Sequence, residues 1–235
     1  MRRTTRSSAL PFLLSLTLTL SLAAVAGCKK GGGATSAGGD QAPLRLAFVS
    51  NNSSDFWNIG EKGLRKAEKD FGISVSMFRP LKGEVSDQQR FLEDILVQGF
   101  QGVAISPINP DAMTGIFEKV AAKIPLVTAD SDAPKSPRKV YVGTNNVAAG
   151  QLVGETARKA LEEAHITKGK VALFVGRIDM QNAIERKKGI EDTLGKVPGI
   201  EILPVFLDKA DRALAKKNVE DAIAHYPNLI LRINI

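Results

Sequence analysis

The sequence predicts an α/β fold built as two doubly wound parallel-sheet lobes, the second of them incomplete, and three observations carry that prediction. From Leu44 onward, short apolar runs of strand length alternate with longer amphipathic segments of helix length. Alternation of this kind places helices on both faces of a parallel sheet through right-handed crossovers. The pattern also restarts: Leu46-Ala47-Phe48-Val49-Ser50 and Val171-Ala172-Leu173-Phe174-Val175 are similar apolar openings. Eight strand candidates over this span fit two units better than one sheet, with the break near residues 143–169.

The first unit opens with a strand at Leu44–Ser50. A helix follows at Asp55–Phe71, with Phe56, Ile59, Leu64, Ala67 and Phe71 on one face and Gly72 as its stop. Ser54 and Asp55 fit an N-cap pair for it. Next come a strand at Ile73–Phe78, a helix at Asp87–Gln98 with Phe91, Ile95 and Leu96 inward, and a strand at Gly102–Ser106. A helix at Pro110–Ala122 carries Met113, Ile116, Phe117 and Val120; short strands at Pro125–Ala129 and Val140–Gly143 close the unit. The second unit reads helix Val147–Glu163, strand Lys170–Val175, helix Asn182–Leu194, strand Glu201–Leu207, helix Asp211–His225 and strand Leu229–Ile233. A doubly wound unit stopped at its third strand leaves an unpaired edge, and the final apolar run has no turn or capping residue. The expectation is a chain truncated at its C-terminus, with a natural short form completed by a partner chain as the alternative.

Ahead of Leu44 the sequence is of another kind. Arg2, Arg3 and Arg6 precede an almost uncharged Leu- and Ala-rich run, Ala9 to Ala26, the layout of a secretory signal. The run ends in Val25-Ala26-Gly27-Cys28, which resembles the bacterial lipobox; the resemblance implies acylation of the Cys28 thiol and a membrane-anchored lipoprotein on the periplasmic or extracellular face. Lys29 to Gln41 holds five glycines among small and polar residues, with no hydrophobic period, and reads as a flexible tether. The expected organisation is therefore a signal peptide over 1–27, a tether over 28–42, an N-terminal lobe over 43–143 and a partial C-terminal lobe over 144–235.

Composition excludes several classes of function. Of 235 residues, 43% are hydrophobic and 24% charged, a globular balance. One cysteine admits no internal disulfide, and with only two histidines, His165 and His225, a Cys/His metal site is not expected. Both histidines lie on polar stretches near helix ends and read as solvated. The formal charge is +7; losing residues 1–27 removes three arginines and no acid, which leaves +4. The basic residues are spread along the chain, so nucleic acid is not an expected partner.

Ligands of open parallel sheets bind beyond the carboxyl ends of the strands. The segments there are Ser50-Asn51-Asn52-Ser53-Ser54-Asp55-Phe56-Trp57, then Ser106, Pro107 and Asn109, Asp130-Ser131-Asp132, Thr144-Asn145-Asn146, and Gly176-Arg177-Ile178-Asp179. Amides, hydroxyls, carboxylates and aromatic rings without histidine or cysteine suit a neutral, hydroxyl-rich ligand such as a sugar, whose hydroxyls exchange hydrogen bonds with Asp, Asn and Arg and whose C–H faces pack on rings. Each residue also fits an ordinary structural role: Phe56 and Trp57 as core at a helix start, Asp130 as a turn cap. GxSxG, HExxH, Walker A and strand-linked GxGxxG patterns are absent from the sequence, which argues against an enzyme, and no cofactor is expected.

The segments FVSNNSSDFW, AISPINPDA, LVTADSDAP, VGTNNVAAG and NAIERKKGI, in this order and spacing, resemble the type I periplasmic sugar-binding proteins of the ribose-binding-like branch, from about Leu44 to about Asn228. The resemblance implies that Ser54, Phe56 and Trp57 hold the first-loop ligand positions. It also implies a polar contact from Ser106, an acid for sugar hydroxyls at Asp130 and a second-lobe arginine at Arg186. Ser131 stands where ribose-binding members carry arginine, a departure that argues against ribose itself. Asn145 and Asn146 fall at the first crossing between lobes. The function implied is capture of a sugar or polyol by hinge closure for an ABC permease in the membrane. The alternatives are a secreted sensor presenting its ligand to a receptor kinase, or a non-functional fragment of such a receptor. A transcriptional regulator with the same sensor would carry a DNA-binding segment where the signal peptide stands.

Overall fold

A computed structural model describes residues 42–235; the expected signal peptide, Cys28 and the tether through residue 41 lie outside the described residues. The first sheet contains β1 (Arg45–Val49), β2 (Ser74–Phe78), β3 (Gly102–Ile105), β4 (Leu126–Ala129) and β5 (Val140–Val142), all parallel in the order β2-β1-β3-β4-β5. Helices α1 (Phe56–Phe71), α2 (Val85–Val97) and α3 (Thr114–Ala121) connect the first four strands. Successive strand side chains point to opposite faces, and Val49, Ile105 and Leu126 meet Leu92, Ile95, Met113, Phe117 and Val120 of the α2 and α3 segments in the main core. Each such side chain, fully buried, contributes about 1.5–3 kcal/mol.

The first helix departs from the expected packing. Trp57 turns inward, 4% exposed, whereas Phe56, Ile59 and Phe71 are 59%, 72% and 75% exposed. The shared apolar face does exist, and Leu64 and Ala67 on it are half-buried. With Leu46, Phe48, Val75, Ala104 and Val127 of the sheet they border an open apolar groove of about 320 Å³. The α2 and α3 helices cover the opposite sheet face. Among the described residues nothing further lies over this one, and the outer residues of the stripe stay in solvent.

The second sheet centres on β6 (Gly169–Val175), flanked on one side by β7 (Ile200–Ile202) and β8 (Phe206–Leu207) and on the other by β9 (Leu229–Asn234), again all parallel. The single strand expected over Glu201–Leu207 is thus two. Val171 pairs with Ile202 but Phe174 pairs with Phe206, so one extra residue bulges out around Pro204, which has no N–H for the ladder. Helices α4 (Asn146–Glu163), α5 (Gln181–Thr193) and α6 (Arg212–His225) complete this half. The third helix starts at Thr114 rather than Pro110, because Pro110–Met113 is spent on turns, with Met113 N–H donating to the Pro110 carbonyl. Asn145 and Asp211 cap α4 and α6 by accepting from the Ala148 and Leu214 N–H groups at 3.1 and 2.9 Å. Asp55 occupies the N-cap position of α1 without capping it; its Oδ1 accepts from Asn58 Nδ2 instead. His165 and His225 are exposed, as expected.

Candidate functional site

The carboxyl ends of both sheets face one cleft of about 440 Å³. Its lining comes from the loops after β1 (Asn51–Ser54), β2 (Leu81–Gly83), β6 (Val175 through Arg186) and β8 (Lys209, Ala210), and from Ile235. This is where open α/β sheets bind ligands, because strand ends there deliver loops side by side.

On the first-sheet side, one carboxylate gathers the polar groups. Asp130 ends β4 in left-handed backbone, φ 64°, a conformation that Asp tolerates better than most residues and that concentrates at functional sites. Ser106 Oγ donates to Asp130 Oδ2 at 2.9 Å, and Asn51 Nδ2 donates to the same oxygen at 3.3 Å. Asn51 Oδ1 in turn accepts from Trp57 Nε1 at 2.9 Å. Burial pushes the Asp130 carboxyl above the usual carboxylate range, against the opposing pull of the Ser106 hydrogen bond and the Arg186 charge.

The loops that hold this cluster are joined by Gln88, a fully buried amide in α2. Its Nε2 donates to the carbonyls of Ser50 and Ser106 at 2.8 and 2.7 Å, and its Oε1 accepts from Ile108 N–H at 3.0 Å. One side chain thus ties together the chain leaving β1 and the chain leaving β3. Arg79, after β2, donates to the Trp57 carbonyl at 3.0 Å and pairs with Glu61 at 2.7 Å, fixing the first turns of α1.

The second-sheet side presents cations. Arg186 of α5 lines the cleft, and its Nε donates to Asn146 Oδ1 at 2.8 Å. Among the described residues it makes no ion pair, so its terminal nitrogens remain available as donors. Arg177 is held by Asp179 in a two-bond pair at 3.1 and 2.9 Å and reaches across the cleft to the Gly83 carbonyl at 3.1 Å. Lys209 and Ala210 both adopt left-handed backbone where the β8 loop turns into the cleft.

The sequence-predicted residues divide accordingly. Ser54 and Arg186 line the cleft; Ser106 and Asp130 sit together behind Asn51. Trp57 packs its ring against Phe48, 5.4 Å between centroids, and reaches the cleft only through Asn51. Phe56 stands edge-on to Trp57 at the exposed start of α1, apart from the cleft lining. Ser131 is buried, and its Oγ has no hydrogen-bond partner among the described residues. Sequence reasoning placed Asn51 and Arg177 in loops beyond the strand ends without singling them out, and missed Gln88 altogether. Gln88 had a signal, a polar residue at helical spacing from Leu92 and Phe91. Asn51 differed from its neighbours Asn52 and Ser53 by nothing the sequence displays.

The set can hold a hydroxylated molecule: a carboxylate to accept, guanidinium groups to donate, and amides and hydroxyls to do both. Comparison with known proteins agrees with the architecture. The galactofuranose-binding protein YtfQ of Escherichia coli is 23% identical over 187 residues, which cover 77% of this chain and 58% of the relative. The D-allose-binding periplasmic protein of Escherichia coli is 24% identical, covering 75% of this chain and 59% of its own length. The chain therefore spans less than two thirds of the length of these curated relatives. Among solved structures, an ABC transporter solute-binding protein from Burkholderia graminis, in complex with D-arabinose, superposes with a TM-score of 0.77 at 30% identity, over 83% of this chain and 66% of the other. The family model described as periplasmic binding protein domain matches residues 46–234. With two parallel sheets meeting at one polar cleft, this chain belongs to the periplasmic binding protein family.

Proposed function

We propose that the chain is an extracytoplasmic receptor that captures a sugar or similar polyol in the cleft and delivers it to an ABC permease. The observation that carries the reading is the arrangement of Asp130, Ser106 and Asn51 on one side and the open Arg186 guanidinium on the other. A sugar's paired hydroxyls match that set: they donate to the acid and accept from the arginine. The relatives named above are described as binding galactofuranose, D-allose and D-arabinose, and the cleft here has the chemistry for ligands of that class. Capture proceeds by closure of an N-terminal lobe, 43–143, on a C-terminal lobe beginning at 144, with the closed form recognised by the permease. Arg177, already spanning the cleft, is the group that closure tightens. No chemical step and no cofactor enter. A lipid on Cys28 and a tether through residue 42 keep the receptor at the membrane.

Thermal unfolding with D-arabinose, D-allose and D-galactose tests the reading. A ligand at about 100 times its Kd adds about 2.7 kcal/mol to the native state, so one of these sugars is expected to raise the midpoint by several degrees, and Arg186→Ala to remove the shift. No shift with any neutral sugar would count against a sugar receptor. Recovery of a membrane kinase with the protein, in place of a permease, would make it a sensor.

A further inference from the structure

We propose that Asn146 is a positioning residue: it aims the Arg186 guanidinium through a hydrogen-bonded chain that begins at the Asp130 loop and passes through the connection between the two sheets. The chain has three links. Tyr141 Oη shares its one proton between the carbonyls of Asp130 and Thr144, at 2.9 and 3.0 Å. Asn146 Nδ2 donates to Tyr141 Oη at 3.3 Å, and Asn146 Oδ1 accepts from Arg186 Nε at 2.8 Å.

Placement makes the chain effective. Asn146 is 1% exposed at the first position of α4. A buried amide costs free energy unless both its ends are matched, and here one end is matched in each half of the molecule. The hydroxyl at its centre also fastens the main chain of Asp130, whose left-handed backbone needs such restraint. The helices carrying the two partners are in backbone contact: a Cβ on Gly150 would stand 2.1 Å from the Arg186 carbonyl oxygen, and one on Gly189 2.3 Å from the Val147 carbonyl oxygen. Asn146 and Arg186 therefore keep a fixed separation, and the amide sets the rotation of the guanidinium plane. With Nε engaged, the two terminal nitrogens are left to face the cleft.

The inference rests on Arg186 being a ligand group, and the test separates the two ideas. The Nε–Hε resonance of Arg186, identified by its loss in Arg186→Lys, is followed by NMR in the ligand-free protein. In Asn146→Ala its exchange with solvent is expected to accelerate by about 10-fold or more, as the hydrogen bond is lost. In Asn146→Asp, which keeps the acceptor, protection is expected to persist. Tyr141→Phe, which removes the central link without touching Asn146, is expected to give a smaller acceleration and carries the test should Asn146→Ala fail to fold. An unchanged Arg186 signal in Asn146→Ala, or in Tyr141→Phe if that variant alone folds, would overturn the proposal. With D-arabinose as probe, Asn146→Ala is expected to weaken binding about 10-fold in the wild-type background but less than 2-fold beside Arg186→Ala, since residues acting through one another are not additive. Equal losses in both backgrounds would show a merely structural role. Absence of D-arabinose binding by the wild type would count against that ligand and leave the Arg186 signal to decide the positioning.

Discussion

At Asp130 a half-buried carboxylate sits in left-handed backbone with two donors on one oxygen, and stability and the binding role proposed for it pull in opposite directions. Its pKa is raised in the folded chain, so folding favours the protonated form. The destabilisation is absent below the ordinary carboxylate range, grows as pH rises from there, and is complete above the folded pKa. Asp130→Asn is therefore expected to raise the unfolding midpoint at pH 7 while abolishing sugar binding, as calorimetric unfolding and titration would show. Two residues away the sign reverses. Burial opposes the charged form of Asp132 too, but hydrogen bonds from Arg138, Thr128 and the Ala133 N–H outweigh it and lower the pKa. That contribution is present above the ordinary carboxylate range and is lost as pH falls through the lowered folded pKa. Asp132→Asn is expected to cost about 2 kcal/mol at pH 7, and its difference from wild type should shrink on acidification. A difference that grew in acid would contradict the assignment.

Among the elements, α4 and α5 have the least room to change. Beside the Gly150 contact already described, a Cβ at Gly154 would meet Thr193 Oγ1 at 1.8 Å. Gly150→Ala must push the helices apart, at an expected cost of about 1–3 kcal/mol, and because the obstructing atom belongs to Arg186 it should weaken ligand binding as well. A variant with wild-type midpoint and affinity would show that the helices yield without consequence. The elements themselves were legible in the sequence, because short continuous apolar runs and longer amphipathic runs of helical period alternate from Leu44. What covers them was not. The stripe Phe56, Ile59, Leu64, Ala67 and Phe71 is real, yet periodicity reports an apolar face and not the layer that meets it, and most of this one lies open. Pro204 was a visible signal for a broken strand, since it lacks the ladder donor. The site was legible to the level of loops. Strand ends pointed to the segments holding Ser54 and Asp130, while Arg186, inside α5, came only from the family resemblance. Which side chains line the cleft and which stand behind it depends on loop conformation, and a buried coupling such as Gln88 to Ser50 and Ser106 leaves no local pattern.

In the whole molecule two sheets share one cleft, and the proposed lipid on Cys28 would hold both at the membrane. The tether predicts that Cys28→Ser moves the protein from the membrane fraction to the soluble fraction; unchanged fractionation would contradict lipid anchoring. The cleft can be read from a built-in reporter. The chain has one tryptophan, and Trp57 donates its Nε1–H to Asn51, which both lines the cleft and holds Asp130. A sugar that engages Asp130 must disturb that relay. The most direct measurement is therefore the emission of Trp57 during titration with D-arabinose, D-allose and D-galactose. The account predicts a saturable change with at least one of them, lost in Asp130→Ala and in Arg186→Ala while both variants remain folded. Emission that stays flat while calorimetry detects binding, or a saturable change that survives both substitutions, would contradict a sugar site built on these residues.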